Sequence, residues 1–84
     1  MELAWLPRGW EYYLYWHKTD KKTLKRINLL IKDALRYPFE GIGKPEPLKA
    51  NLSGWWSRRI TGEHRLVYRV HENRLVIMMC RYHY

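Results

Sequence analysis

Three residues in this chain are of types suited to moving protons around a phosphate: Glu46, Arg65 and His83. Glu46 stands between Pro45 and Pro47, which stiffen the backbone on either side of its carboxylate. Arg65 opens a strand-like run. His83 is the penultimate residue of a terminus, Arg81-Tyr82-His83-Tyr84, that continues an apolar segment without a polar tail. Taken singly, each has an ordinary alternative as a solvated glutamate, a surface arginine or a frayed terminal histidine. Taken together, they suit cleavage of RNA. A base removes the proton of a 2′-hydroxyl, an acid protonates the departing 5′-oxygen, and a cation stabilises the crowded phosphorane between them. A carboxylate with an ordinary pKa of about 4.3 is ionised near neutrality, and an imidazole near about 6.5 is protonated in part. Chemistry of this kind calls for no metal and no other cofactor.

Other constellations are weaker. His17, His64, His71 and His83 have no ligand spacing, and the lone Cys80 cannot build a structural zinc site. Gly41-Ile42-Gly43-Lys44 is too short for a phosphate-cradling loop and lacks the preceding strand and following helix, so it reads as a loop with tight turns. Cys80, inside an apolar run, reads as an inert core residue rather than a nucleophile.

The charge points to a polyanionic partner. The 84 residues carry 16 Lys and Arg against 8 Asp and Glu, a formal net charge of +8. All seven lysines precede residue 50, whereas the basic residues after it are the arginines Arg58, Arg59, Arg65, Arg69, Arg74 and Arg81. The guanidinium fork suits bidentate phosphate contacts, which puts any specific phosphate site in the C-terminal half. Five Trp and seven Tyr argue against disorder and for aromatic anchors in a small core. The length fits a single domain over residues 1–84. The longest apolar run, Leu75 to Cys80, is too short to cross a bilayer, and Met1–Leu6 has no basic signal region, so a cytoplasmic location is expected.

The elements that must position these residues divide at the Pro- and Gly-rich segment Tyr37 to Pro47. Before it, Glu2–Leu6 reads as a strand. Pro7 opens a helix with Trp10, Tyr13, Leu14 and His17 on one face, and Thr19-Asp20 caps a longer helix carrying Leu24, Ile27, Leu30, Ile31, Ala34 and Leu35. Pro38 ends it. After the loop, Pro47–Lys49, Trp55–Ile60, Arg65–Val70 and Arg74–Tyr82 read as an antiparallel meander. The expected fold class is α+β, in the order β-α-α-β-β-β-β, with a helical hairpin on one face of a mostly antiparallel twisted sheet. In the Arg65–Val70 strand, Leu66, Tyr68 and Val70 point to the helices, while Arg65, Val67 and Arg69 point to an opposite face left for a ligand.

The run Gly43-Lys44-Pro45-Glu46-Pro47-Leu48-Lys49, the segment Leu52-Ser53-Gly54 followed by Trp56-Ser57-Arg58-Arg59-Ile60, the segment Glu63-His64-Arg65-Leu66-Val67-Tyr68 and the ending Arg81-Tyr82-His83-Tyr84 closely resemble the YoeB toxins of the RelE superfamily. Tyr13-Leu14-Tyr15-Trp16, Asp20-Lys21 and Lys25-Arg26-Ile27-Asn28 are similar to that family's helical hairpin, so the resemblance spans essentially the whole chain. It implies a RelE-like fold and a bacterial type II toxin that enters the ribosomal A site and cleaves the mRNA there. It also implies a YefM-like antitoxin, a homodimer, and operator DNA contacted only through the antitoxin. By resemblance, Glu46 is the general base, His83 the general acid and Arg65 the stabiliser of the transition-state phosphate. Tyr84 orients the RNA or the catalytic groups, and Lys49 and Arg59 contact phosphate.

Strand register sets a condition on this assignment. If Glu72-Asn73 is a two-residue turn, His71 pairs with Arg74 and Arg65 falls opposite Cys80, which puts Arg65 and His83 on opposite faces of the sheet. The chemistry therefore requires a longer or bulged turn that shifts the register by one, or a bend after Arg81. Two rival functions remain open from sequence: a non-catalytic RNA-binding blocker of translation, and a DNA-binding repressor subunit. The second is weaker, because the basic helix Asp20–Arg36 has no short turn to a partner helix.

Overall fold

The computed structural model describes residues 1–83. Strand β1 (Glu2–Trp5) leads into helix α1 (Pro7–Thr19) and helix α2 (Lys21–Arg36); strands β2 (Glu46–Pro47), β3 (Trp56–Arg59), β4 (Arg65–His71) and β5 (Arg74–Met79) follow. The strands form one sheet in the order β1-β5-β4-β3-β2. Strand β1 joins β5 in parallel, and the other pairings are antiparallel. This is the expected order, and the parallel edge strand makes the sheet mixed.

Pro7 begins α1 where its missing N–H costs nothing. A single extended residue, Asp20, ends α1 and caps α2. Its carboxylate accepts from the Thr23 amide at 3.0 Å and the Thr23 hydroxyl at 2.7 Å. Helix α2 then buries Thr23, Ile27, Leu30, Ile31 and Ala34 at helical spacing. The apolar ones among these meet Leu66, Tyr68, Leu75 and Ile77 from the sheet, and Cys80 just beyond β5.

The buried face of α1 differs from the one expected. Gly9 and Trp16 are buried and Tyr12 and Tyr13 pack partly against the core, while Trp10, Leu14 and His17 are exposed. Gly9 explains the choice. A Cβ there would lie 2.7 Å from the Ile77 carbonyl oxygen, so only glycine lets α1 settle this closely onto β5. Aromatic and aliphatic residues cover more than one stripe of the helix, so hydrophobic spacing alone does not select the face.

Glu72 and Asn73 form a two-residue turn with φ of 51° and 58°, and His71 does pair with Arg74. The register shift occurs further along the hairpin. Tyr68 pairs with Ile77 and Val67 with Met79, so Met78 is the extra residue of a β-bulge. Strand β5 ends at Met79, short of the expected Tyr82, and the backbone turns at Tyr82 with φ 68°. The turn is thus neither longer nor bulged, contrary to the first expectation; the shift of register lies within the hairpin strands, and the bend after Arg81 is present. No helix among the described residues is long and apolar enough to cross a membrane.

Candidate active site

Residues paired across the strands share a face, which makes Glu46, Ser57, Val67 and Met79 one row on the side away from the helices. Two residues along β3 and β4, Arg59 pairs with Arg65 on that same face. Two residues along in the other direction, β4 presents Arg69. Lys49 is exposed and caps the short 3-10 helix Ala50–Leu52, beyond the point where the Leu48 amide bonds the Trp55 carbonyl at 2.9 Å. The carboxylate row therefore has Arg59 and Arg65 at one end and Arg69 at the other, while Lys49 stands in the loop just after β2. At its centre Val67 and Ser57 are 0% and 1% exposed, so charge surrounds a dry floor in which electrostatic contacts are stronger than in water.

Arg65 is held by the turn that precedes it. Its Nη1 donates to the carbonyls of Thr61 (2.8 Å), Gly62 (3.3 Å) and His64 (3.1 Å). That turn is in turn fixed by the Thr61 hydroxyl, which accepts from the amides of Glu63 and His64. The backbone N–H of Arg65 donates to the Tyr82 carbonyl at 3.0 Å, and the Tyr82 N–H donates to His64 Nδ1 at 2.7 Å. Trp16 Nε1 donates to the Cys80 carbonyl at 2.8 Å, and Arg81 lies 3.6 Å over the Tyr15 ring. The C-terminal segment is thus clipped to α1 and to the head of β4 as far as Tyr82. His83 follows directly and is exposed. The structure therefore brings Glu46, Arg59 and Arg65 onto one face and carries the chain to His83 at the Arg65 end. Tyr84 lies outside the described residues.

Arg58 has a different place from its neighbour. It is 0% exposed, on the helix side of the sheet, and it donates to the Asp33 carboxylate, the Tyr68 hydroxyl and the carbonyls of Tyr37, Glu40 and Ile42. That excludes it from the phosphate-binding arginines expected in the C-terminal half and makes it the anchor of the loop leading to Glu46. Its hydrogen bond, followed by that of the Ile42 amide, holds the Asp33 carboxyl below the ordinary aspartate range. Burial raises the Tyr68 hydroxyl, which donates to the Pro38 carbonyl at 2.6 Å. Burial also pushes the Cys80 thiol up to about 12, in keeping with an inert core cysteine.

Sequence reasoning missed His64 and Ser57 at the site, and saw Arg69 only as a residue of the ligand face. Shared strand parity with Arg65 was the available signal for Arg69.

The family model described as "YoeB-like toxin of bacterial type II toxin-antitoxin system" matches residues 5–84. The chain belongs to the YoeB-like toxins. Among relatives of this family, Toxin YoeB of Escherichia coli strain K12 is 64% identical over 84 residues, covering 100% of both chains. The YoeB/ParE toxin from Agrobacterium tumefaciens superposes with a TM-score of 0.98 at 51% identity, again covering 100% of both chains. Staphylococcus aureus YoeB has been solved in a YoeB-YefM complex (TM-score 0.92, 48% identity) and as a YoeB dimer (TM-score 0.92, 49% identity); each comparison covers 100% of this chain and 98% of the other. The likeness to these YoeB structures spans both helices and all five strands, including the face that carries Glu46, Arg59 and Arg65.

Proposed function

We propose that this YoeB-like toxin is a ribosome-dependent mRNA endoribonuclease that cuts in the A site without a metal. Glu46 accepts the proton of the 2′-hydroxyl, whose oxygen attacks the adjacent phosphorus. Arg65, with Arg59 and Lys49, neutralises the charge that builds on the phosphoryl oxygens. The bond from phosphorus to the 5′-oxygen breaks as the His83 imidazolium protonates that oxygen, leaving a 2′,3′-cyclic phosphate and a free 5′-hydroxyl. Tyr84 orients the RNA or the catalytic groups.

The observation that supports this reading most is that one sheet face carries Glu46 together with Arg59 and Arg65, while Arg65's own backbone N–H secures the segment leading to His83. The partners proposed with it are the 70S ribosome and its mRNA, a YefM-like antitoxin, and a second copy of the chain; operator DNA is met only through the antitoxin. Exposed Leu3, Leu6, Trp10 and Leu14 on β1, its junction with α1 and α1 itself, and Leu29, Tyr37, Phe39 and Ile42 on α2 and the loop after it, supply apolar surface for protein partners. Primer extension on a translated mRNA tests the proposal. Wild type gives cuts confined to the A-site codon, and Glu46→Ala and His83→Ala each lower the cleavage rate about 10²- to 10⁴-fold. Stalled ribosomes on intact mRNA, indifferent to both substitutions, contradict it and identify a toxin that acts by occlusion.

A further inference from the structure

Arg69 holds the only buried side-chain nitrogen or oxygen among the described residues that lacks a hydrogen-bond partner, its Nε. Its guanidinium carbon lies 5.4 Å over the Trp55 ring, and a Cβ added to Gly54, which has φ +94°, would come within 4.0 Å of its Nη2. Among the described residues, it is stacking on Trp55 that lays the group on the Ser53–Trp55 turn. A buried N–H without an acceptor costs free energy, and stacking repays it only in part. By contrast, the guanidiniums of Arg58 and Arg65 are both engaged by oxygen acceptors. Arg69 is charged, held in place and short of an acceptor.

Its position gives the missing acceptor a chemical identity. Arg69 lies on the Glu46 face, two residues along β4 from Val67, on the opposite side of that row from Arg65. Two residues of strand span about 6.6–6.8 Å, comparable to the separation of successive phosphates in an extended single strand. We propose that Arg69 is a second phosphate-binding arm, parked on Trp55, that engages the phosphate next to the scissile one and fixes the register of the RNA over Glu46. This rests on the nuclease reading above. It assigns Arg69 a contact with substrate and no part in proton transfer.

The test is single-turnover cleavage of ribosome-bound mRNA by wild type and Arg69→Met, a substitution that keeps an apolar stem on Trp55 and removes both the charge and the unpartnered N–H. Each protein is given natural mRNA and two mRNAs with a neutral methylphosphonate at the phosphate on one or the other side of the scissile one. On natural mRNA, Arg69→Met is expected to cut about tenfold more slowly at subsaturating toxin. One of the two methylphosphonates slows wild type by a similar factor and leaves Arg69→Met unchanged, the non-additivity expected of a direct contact. Arg69→Met melts no lower than wild type, because it removes an orphaned donor. Equal rates for the two proteins on natural mRNA, or a wild type indifferent to both methylphosphonates, overturn the proposal; the second result is independent of how the variant folds. A wild type that cuts no mRNA at all overturns the nuclease reading instead.

Discussion

Arg58 and Arg59 are adjacent and chemically identical, yet strand parity sends them to opposite sides of the sheet. Arg58 enters the core, where the Asp33 carboxylate and three loop carbonyls satisfy it. Removing the guanidinium leaves the Asp33 carboxylate, the Tyr68 hydroxyl and three loop carbonyls without their shared donor, which is strongly destabilising. Arg58→Met should therefore lower unfolding stability by about 3–5 kcal/mol in urea titrations and loosen the loop that carries Glu46. Asp33 adds a pH dependence with a definite sign. Its folded pKa lies below its unfolded value of about 3.9, so its stabilisation is complete above roughly pH 5 and is lost as the pH falls through the folded pKa. Melting curves between pH 3 and pH 6, about the range in which the linkage acts, should show Asp33→Asn less stable than wild type at the upper end and flatter toward the lower. The slope that remains in the variant belongs in part to Asp20, whose carboxyl is lowered by the Thr23 amide and hydroxyl. An identical slope in both proteins would show that the Asp33 pairing contributes nothing to the pH dependence.

At the scale of elements, the site depends on one bulge and one clip. Without the extra residue Met78, Arg65 would stand opposite Cys80 and the terminus would leave from the wrong face; with it, the register moves by one and the Arg65 amide meets the Tyr82 carbonyl. Strand parity was legible in the sequence because Arg65, Val67 and Arg69 alternate with Leu66, Tyr68 and Val70. The bulge was not, because Leu75 to Cys80 is apolar throughout and an added residue leaves no break in the pattern. The buried face of α1 was hidden for the same reason: Trp10, Tyr12, Tyr13, Leu14, Tyr15 and Trp16 satisfy several helical stripes at once, and the decision rests on Gly9. His64 is the residue that holds the terminal segment from the side, through its Nδ1 and its contacts with the Trp16 and Tyr82 rings. His64→Ala should reduce mRNA cleavage about tenfold by freeing the segment before His83, at a cost of about 1–3 kcal/mol of stability for one hydrogen bond and two ring contacts. The expected signature is a lower single-turnover rate with little change in toxin concentration dependence. Full activity would show that His64 does not position the terminus.

Across the whole molecule, the net charge of +8 and the division into a helix-covered face and an arginine-bearing face agree with a protein that seats itself against RNA. The order of the elements and the family were legible in the sequence, and the family model matches residues 5–84. The arrangement that turns these segments into one site comes from pairings between residues far apart in the chain, Glu46 with Ser57, Arg59 with Arg65, and Arg65 with Tyr82. In the function proposed above, this face cuts RNA by using the substrate's own 2′-hydroxyl, with the protein supplying base, acid and positive charge. The most direct measurement is cleavage of a ribosome-bound mRNA carrying a single 2′-deoxynucleotide at the cut position, with EDTA held at a level that spares ribosomal magnesium. The all-ribose mRNA is expected to be cut to a 2′,3′-cyclic phosphate while the deoxy-substituted mRNA stays intact at that position. Cleavage of the deoxy mRNA at an undiminished rate would mean that water attacks instead, and would contradict the assignment of Glu46 as the base for an internal nucleophile.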